Sequence, residues 1–210
     1  PMPVVMISTL TQKGSPVTLE ALEVGAVDFI AKPTVNLSEQ FNQYAAVLQQ
    51  KVRTAASARV RPCKASINKV IEPSLMANFN VSAILAIGAS TGGTEAIKEV
   101  LIRMPKNCPP IVITQHIPPV FSSSFALRMD RTCTINVKEA EHGDKLAPGW
   151  AFIAPGDKHL SVVKRGSHLI CHLDESAAIN RHRPAVDVLF IVRTSTLIVV
   201  VGFKHGLWIS

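Results

Sequence analysis

Two apolar runs set the pattern of this chain. Ile84-Leu85-Ala86-Ile87 stops at Gly88, and Ile111-Val112-Ile113-Thr114-Gln115 stops at His116. Between them Ile97, Val100 and Leu101 repeat at three- and four-residue steps, which predicts a helix from about Thr94 to Arg103. Strand, helix and strand at this spacing predict a right-handed parallel crossover. Its helix covers one face of the sheet, so both strands read as nearly continuous apolar runs, Ala83–Ile87 for the first. Met104-Pro105 ends the helix and Pro109-Pro110 leads into the second strand. A further helix is predicted over Pro119–Asp130. Shorter strands follow at Thr134–Val137, Trp150–Ala154, Leu160–Val163 and His168–His172, then a helix over Pro184–Val192. Gly143, Pro148-Gly149, Pro155-Gly156 and Arg165-Gly166 punctuate the strands as turns.

Upstream, residues 1–54 read as strand, helix, strand, helix: Val4–Ser8, Pro16–Glu23, Ala26–Ala31 and Leu37–Thr54. Gly25 is placed to end the first helix, and Lys32-Pro33 ends the second strand. Two such units cannot close a stable sheet alone. The chain also starts at Pro1, directly before a strand, so it reads as a fragment without its amino-terminal part. Residues 55–82 are small, basic and punctuated by Pro62, without a sustained period, and read as a linker.

Composition narrows the class. The 210 residues are 47% hydrophobic and 18% charged, which suits a packed core and not wholesale disorder. No apolar run approaches the roughly 20 residues of a membrane span, and no charged-then-apolar leader opens the chain. The net charge is +7, but the basic residues are dispersed and aromatics are only 5%, so nucleic-acid binding is not expected. Cys63, Cys108, Cys133 and Cys171 have no C-x-x-C spacing, which points to free thiols in the reducing cytosol.

The chemistry concentrates where the first strand ends. Gly88-Ala89-Ser90-Thr91-Gly92 is Gly-x-Ser-x-Gly between a strand and a helix, the context of a nucleophile elbow. A serine needs a base within hydrogen-bond reach. His116 follows the second strand at once, and neighbouring parallel strands lie about 4.8 Å apart, so Ser90 and His116 meet if the strands are neighbours. A nucleotide-binding turn is the rival reading. It lacks Gly-x-Gly-x-x-Gly spacing and a Walker lysine, and Gln115-His116 stands where a ribose-binding acid belongs. Serine with histidine favours hydrolysis. His142, His159, His168, His172, His182 and His205 form no compact metal-binding motif.

Two resemblances sharpen this reading. Met6-Ile7-Ser8-Thr9-Leu10, then Ala21 to Phe29, then Lys32-Pro33 resemble the second half of a response-regulator receiver domain. That resemblance gives Ser8 and Lys32 the contacts to a phosphorylated aspartate and Phe29 the place of the switch aromatic. The acceptor aspartate belongs to the first half, so the trio is a relic here. Ile87 to Ala96, Gln115-His116-Ile117-Pro118, Ala151 to Asp157, and Asn180 to Phe190 resemble, in that order, the chemotaxis protein-glutamate methylesterase family.

The expected fold is therefore α/β: a doubly wound, mostly parallel, Rossmann-like methylesterase domain over residues 83–190, after the second half of a flavodoxin-like receiver over 1–54. The resemblance implies a cytoplasmic serine hydrolase that removes methyl esters from glutamate side chains of chemoreceptors and deamidates receptor glutamines. Ser90 would be nucleophile, His116 its base and the Thr91 backbone N–H an oxyanion donor. No cofactor or metal is implied. The partners would be cytoplasmic receptor helices and, for the full-length family protein, the pathway's histidine kinase.

The family's third catalytic residue is an aspartate in a Gly-Met-Gly-x-Asp-Gly turn beyond the segment that Pro184–Phe190 matches. Residues 191–210 do not resemble the family and hold no Asp or Glu. This predicts a chain impaired or inactive in turnover, with an exposed apolar sheet edge, although Leu197–Val201 is apolar enough to form a strand. A catalytically dead interaction module and a nucleotide-dependent oxidoreductase remain the alternatives.

Overall fold

The computed structural model describes residues 2–8, 21, 24–32, 37–57, 83–190, 198–204 and 207–209. The helix expected over Pro16–Glu23, apart from Ala21, and the linker from 58 to 82 lie outside the described residues. The chain divides into two units, Pro1–Lys69 and Val70–Ser210.

In the first unit, β1 (Val5–Ser8) and β2 (Asp28–Ala31) pair in parallel, Val5 opposite Asp28 and Ser8 opposite Ala31. The helix α1 (Leu37–Ala56) packs against both strands. Asp28, Phe29 and Ile30 are buried. A buried carboxylate needs partners. Asp28 accepts from its neighbour's amide, Phe29 N, at 2.7 Å and from Lys51 Nζ of α1 at 2.7 Å. That ion pair ties the helix to the strand. Among the described side chains of α1, Ala55 is buried, whereas Val47 and Val52 are exposed.

The second unit is built on a six-stranded sheet. Its strands are β3 (Ile84–Ala89), β4 (Ile111–Gln115), β5 (Asn136–Glu139), β6 (Trp150–Ile153), β9 (Ile198–Lys204) and β10 (Leu207–Ile209), in the order β10-β9-β3-β4-β6-β5. All neighbours are parallel except β10, which runs antiparallel to β9. The helix α2 (Gly93–Leu101) connects β3 to β4, and α3 (Pro119–Thr132) follows β4. A two-stranded antiparallel hairpin, β7 (His159–Arg165) with β8 (His168–Asp174), leads to the short helix α4 (Val186–Phe190).

Pairing sets the strand bounds more tightly than local pattern does. The ladder to β4 carries β3 on through Gly88-Ala89, two residues beyond the apolar run. Pairing with Trp150–Ile153 shifts β5 to Asn136–Glu139, so that Lys138 and Glu139 lie inside a strand. The apolar run in the tail does form a strand, and β9 pairs with β3 along its whole length, Ile84 opposite Ile198 to Ala89 opposite Phe203. The exposed apolar edge expected from the divergent tail does not fall at β3, which lies inside the described sheet, because an apolar β-branched run needs only register to take a vacant flank.

Ile84, Ala86, Val112, Phe152, Leu160, Val162 and Leu189 form one buried cluster, joining the sheet to the hairpin and α4. Gly88 belongs to this contact by having no side chain. A Cβ there would collide with Val186 and Phe190 of α4. The chain thus leaves β3 towards β4 on one flank and returns as β9 on the other. That reversal makes the carboxyl end of β3 a topological switch point, where open α/β sheets carry their sites.

Candidate active site

The parallel register delivers the two candidate side chains together. Ala89 is opposite Gln115, so Ser90 and His116 are the first residues past two paired strand ends. The ladder continues one step further, with His116 N donating to Ala89 O at 3.2 Å. Ser90 Oγ lies 3.2 Å from His116 Nδ1. For Nδ1 to accept the hydroxyl proton, the neutral ring carries its own proton at Nε2.

The turn into α2 is tight. Gly92 is the helix N-cap at φ 76°, a left-handed conformation that glycine takes without strain, and Gly93 N donates to Ser90 O at 2.7 Å. Thr91 sits between Ser90 and Gly92, in the turn where backbone amides of the helix start gather.

Gln115 contributes a contact that the sequence reading did not assign. Its buried side chain donates from Nε2 to Ser90 O at 3.0 Å and to His116 O at 3.4 Å, clasping both segments. Its Oε1 points at Gly93, where a Cβ would collide with it, and has no hydrogen-bond partner. The signal was present in the adjacency of Gln115 to His116, but which way a strand-end amide turns depends on α2.

His182 is the second residue that the reading of the sequence missed. Its ring stacks on His116, centroids 3.9 Å apart and planes 7° from parallel. The stretch Asn180 to Phe190 was singled out only for its resemblance, and nothing local predicts that stack.

The other candidates separate. In the first unit the register sets Ser8 beside Ala31, so Ser8 ends β1 and Lys32 is the first residue after its parallel neighbour β2. Lys32 is exposed and Phe29 is buried, with Lys51 Nζ 5.9 Å from its ring centroid. His172 meets His142 edge-on at 5.0 Å, while His168 is exposed at the start of β8. Among the described residues no group of three or more His, Cys, Asp or Glu side chains could hold a metal ion. No helix among them is long and apolar enough to cross a membrane.

The three described cysteines, Cys108, Cys133 and Cys171, sit in environments that disfavour the thiolate. Burial, with Asp144 adding to it, pushes the Cys171 thiol up to about 12; burial pushes Cys133, beside Asp130, up to about 11 and raises Cys108. A thiolate is the reactive form. Cys108 and Cys171, both buried, are therefore expected to resist iodoacetamide at pH 8 until the chain is unfolded. Mass mapping before and after denaturant checks this; labelling of either in the native chain refutes it. The sign for stability follows. Above the ordinary thiol value of 9.0 the unfolded chain loses these protons and the folded chain keeps them, so rising pH through that point favours unfolding.

The family model described as CheB methylesterase matches residues 85–198. A relative from Nitrosomonas europaea, named protein-glutamate methylesterase/protein-glutamine glutaminase, is 47% identical over 196 residues, covering 90% of this chain and 55% of the relative. A relative of the same name from Salmonella typhimurium is 49% identical over 193 residues, covering 90% of this chain and 54% of its own length. The chain thus spans about half the length of the curated relatives it matches. Among solved structures, the Thermotoga maritima CheB methylesterase catalytic domain is 42% identical at a TM-score of 0.51, covering 56% of this chain and 65% of that one.

Proposed function

This chain belongs to the CheB methylesterase family, and on that premise we propose that its larger unit is a serine hydrolase built to act on glutamate methyl esters and glutamine amides of chemoreceptors. The observation that carries the reading is the contact of Ser90 Oγ with His116 Nδ1 at 3.2 Å, at the carboxyl ends of adjacent parallel strands. The names of the relatives support the two substrates.

The reaction uses protein groups and water. Ser90 Oγ attacks the side-chain carbonyl as His116 Nδ1 takes the hydroxyl proton, and the negative charge moves to the carbonyl oxygen. The Thr91 amide donates to that oxygen from the helix start, where the dipole of α2 favours negative charge. Collapse breaks the carbon–methoxy bond and His116 returns the proton, so methanol leaves and an acyl-serine remains. Water adds with His116 again as base, and glutamate is released. A glutamine loses ammonia by the same path.

The first unit supports a reading as the second half of a receiver. Ser8 ends β1 and Lys32 directly follows the paired strand β2, a placement that suits a phosphate-contacting pair. The relatives cover 90% of this chain, more than the 70–210 unit alone, so the likeness reaches into residues 1–69. In this reading 1–54 is a receiver portion, 55–82 a linker, 83–190 the catalytic domain and 191–210 a divergent tail. The full-length partners are cytoplasmic receptor helices and a histidine kinase, and the chain works in the cytoplasm.

The acid-free tail favours a second reading, a hydrolase scaffold that binds receptors without turning over. A fluorophosphonate read together with methanol release separates scaffold from hydrolase, because the label reports nucleophile activation alone. The label is expected on Ser90, located by peptide mass mapping. A chain that takes no label, or takes it elsewhere, refutes the hydrolase reading. A labelled chain with no methanol release supports the scaffold.

A further inference from the structure

One buried imidazole holds both ends of the loop that carries His182. His159, fully buried at the start of β7, has Nδ1 3.1 Å from the Ala185 amide and Nε2 3.2 Å from the Ala177 carbonyl. An amide only donates and a carbonyl only accepts. His159 is therefore neutral with its proton on Nε2, and it closes the loop from Ala177 to Ala185 like a staple. Inside the staple the chain reverses in two residues. Ile179 and His182 exchange backbone bonds at 3.1 and 2.9 Å across Asn180 and Arg181, whose φ values are 52° and 68°.

Two consecutive non-glycine residues in the left-handed region persist only where surrounding contacts impose them. Those contacts are present. Asn180 Nδ2 donates to Asp187 of α4 at 3.3 Å, and the Arg183 guanidinium donates to the carbonyls of Glu175 and Ser176 at 2.8 and 3.1 Å. The result is that the His182 ring lies flat on His116 at 3.9 Å.

We propose that His182 is a positioning residue for the base: its ring fixes the plane of His116 against Ser90, and His159 holds the loop that presents it. This rests on the hydrolase reading above. Rotation of the His116 ring about its Cβ–Cγ bond would carry Nδ1 away from Ser90 Oγ. A parallel ring in contact with its face opposes that rotation.

The test compares His182→Ala with His182→Phe, and His159→Phe with His159→Asn, in the whole chain. Three quantities are read: the rate of Ser90 labelling by a fluorophosphonate, the thermal midpoint, and the NMR shift of the His116 ring protons. His182→Ala is expected to slow labelling about tenfold and to move the His116 signals, with a midpoint within about 4 °C of the parent. His182→Phe restores most of the rate and the signal position, because a flat ring remains. His159→Phe slows labelling as His182→Ala does. His159→Asn, which returns an acceptor near the Ala185 amide, recovers part of the rate.

Parent-like labelling in His182→Ala overturns the proposal. So does His182→Phe being as slow as His182→Ala, since the ring nitrogens would then matter and not the stack. Slower labelling with unmoved His116 signals overturns it as well. Absence of Ser90 labelling in the unsubstituted chain refutes the hydrolase reading, and this role with it.

Discussion

Methanol release from a glutamate methyl ester by this chain is expected to run about 10⁴-fold slower than by the Thermotoga maritima catalytic domain in the same assay. The reason is the third member of the catalytic set. A base that takes a proton from serine becomes a cation, and a carboxylate behind it both holds the productive tautomer and stabilises that charge. The resemblance expects this carboxylate from a turn after the segment matched by Pro184–Phe190. Residues 191–210 contain neither Asp nor Glu. The same turn supplies an oxyanion donor, whose loss by itself costs on the order of 10² to 10³ in kcat. The two penalties do not simply multiply, because residues acting as a unit are not additive.

The backbone of the tail does not remedy this. Although β9 completes the sheet beside β3, its register sets Phe203 opposite Ala89 and brings Lys204 to the strand end. Ser90 labelling should nevertheless persist, because Ser90 and His116 are held together by the β3–β4 register and by Gln115, not by the tail. Turnover within tenfold of the Thermotoga maritima domain would show that another group orients the base.

Gly156→Ala is expected to destabilise the larger unit by about 3 kcal/mol, the upper part of the range for overpacking. For a domain of this size that lowers the thermal midpoint by roughly 6–12 °C. The cause is close approach rather than backbone conformation. A Cβ at Gly156 would overlap backbone atoms of Ile117, Pro118 and Pro119, the segment directly after His116. Gly156 N also donates to Ser122 Oγ at 3.1 Å, and Ser122 Oγ donates to Pro119 O at 3.0 Å, so the two loops are tied as well as packed. Backbone cannot rotate aside as a flexible side chain can. The 117–119 segment must shift, and His116 shifts with it. Ser90 labelling should therefore fall along with stability.

Gly166→Ala is the matched control. Gly166 has φ 61° with nothing within 4 Å of a Cβ, so its cost is conformational, about 1 kcal/mol. Calorimetry on both variants decides the matter. Equal, small shifts would mean that the loop pair yields freely and that the contact has no structural weight.

How much of this was readable before any fold was known depends on the range of the signal. The β3–α2–β4 unit was readable because an apolar run, a helical period and a second apolar run are each local. His116 was readable as a partner for Ser90 because a parallel crossover leaves few registers in which both strands remain buried. The receiver-like trio of Ser8, Phe29 and Lys32 rests on resemblance alone. The ion pair of Asp28 with Lys51 was not readable, because it joins a strand to a helix across an intervening segment.

The sequence by itself therefore determined the turn that carries Ser90, the histidine at the end of the next strand, the α/β class and the lack of acid in the tail. Tertiary structure alone decided that β9 takes the flank of β3, that the Gln115 amide turns to clasp both segments, and that His159 staples a loop to lay His182 on His116. Periodicity reports which face of an element is buried. It does not report which distant element arrives to bury it, and these contacts exist only where separate segments meet.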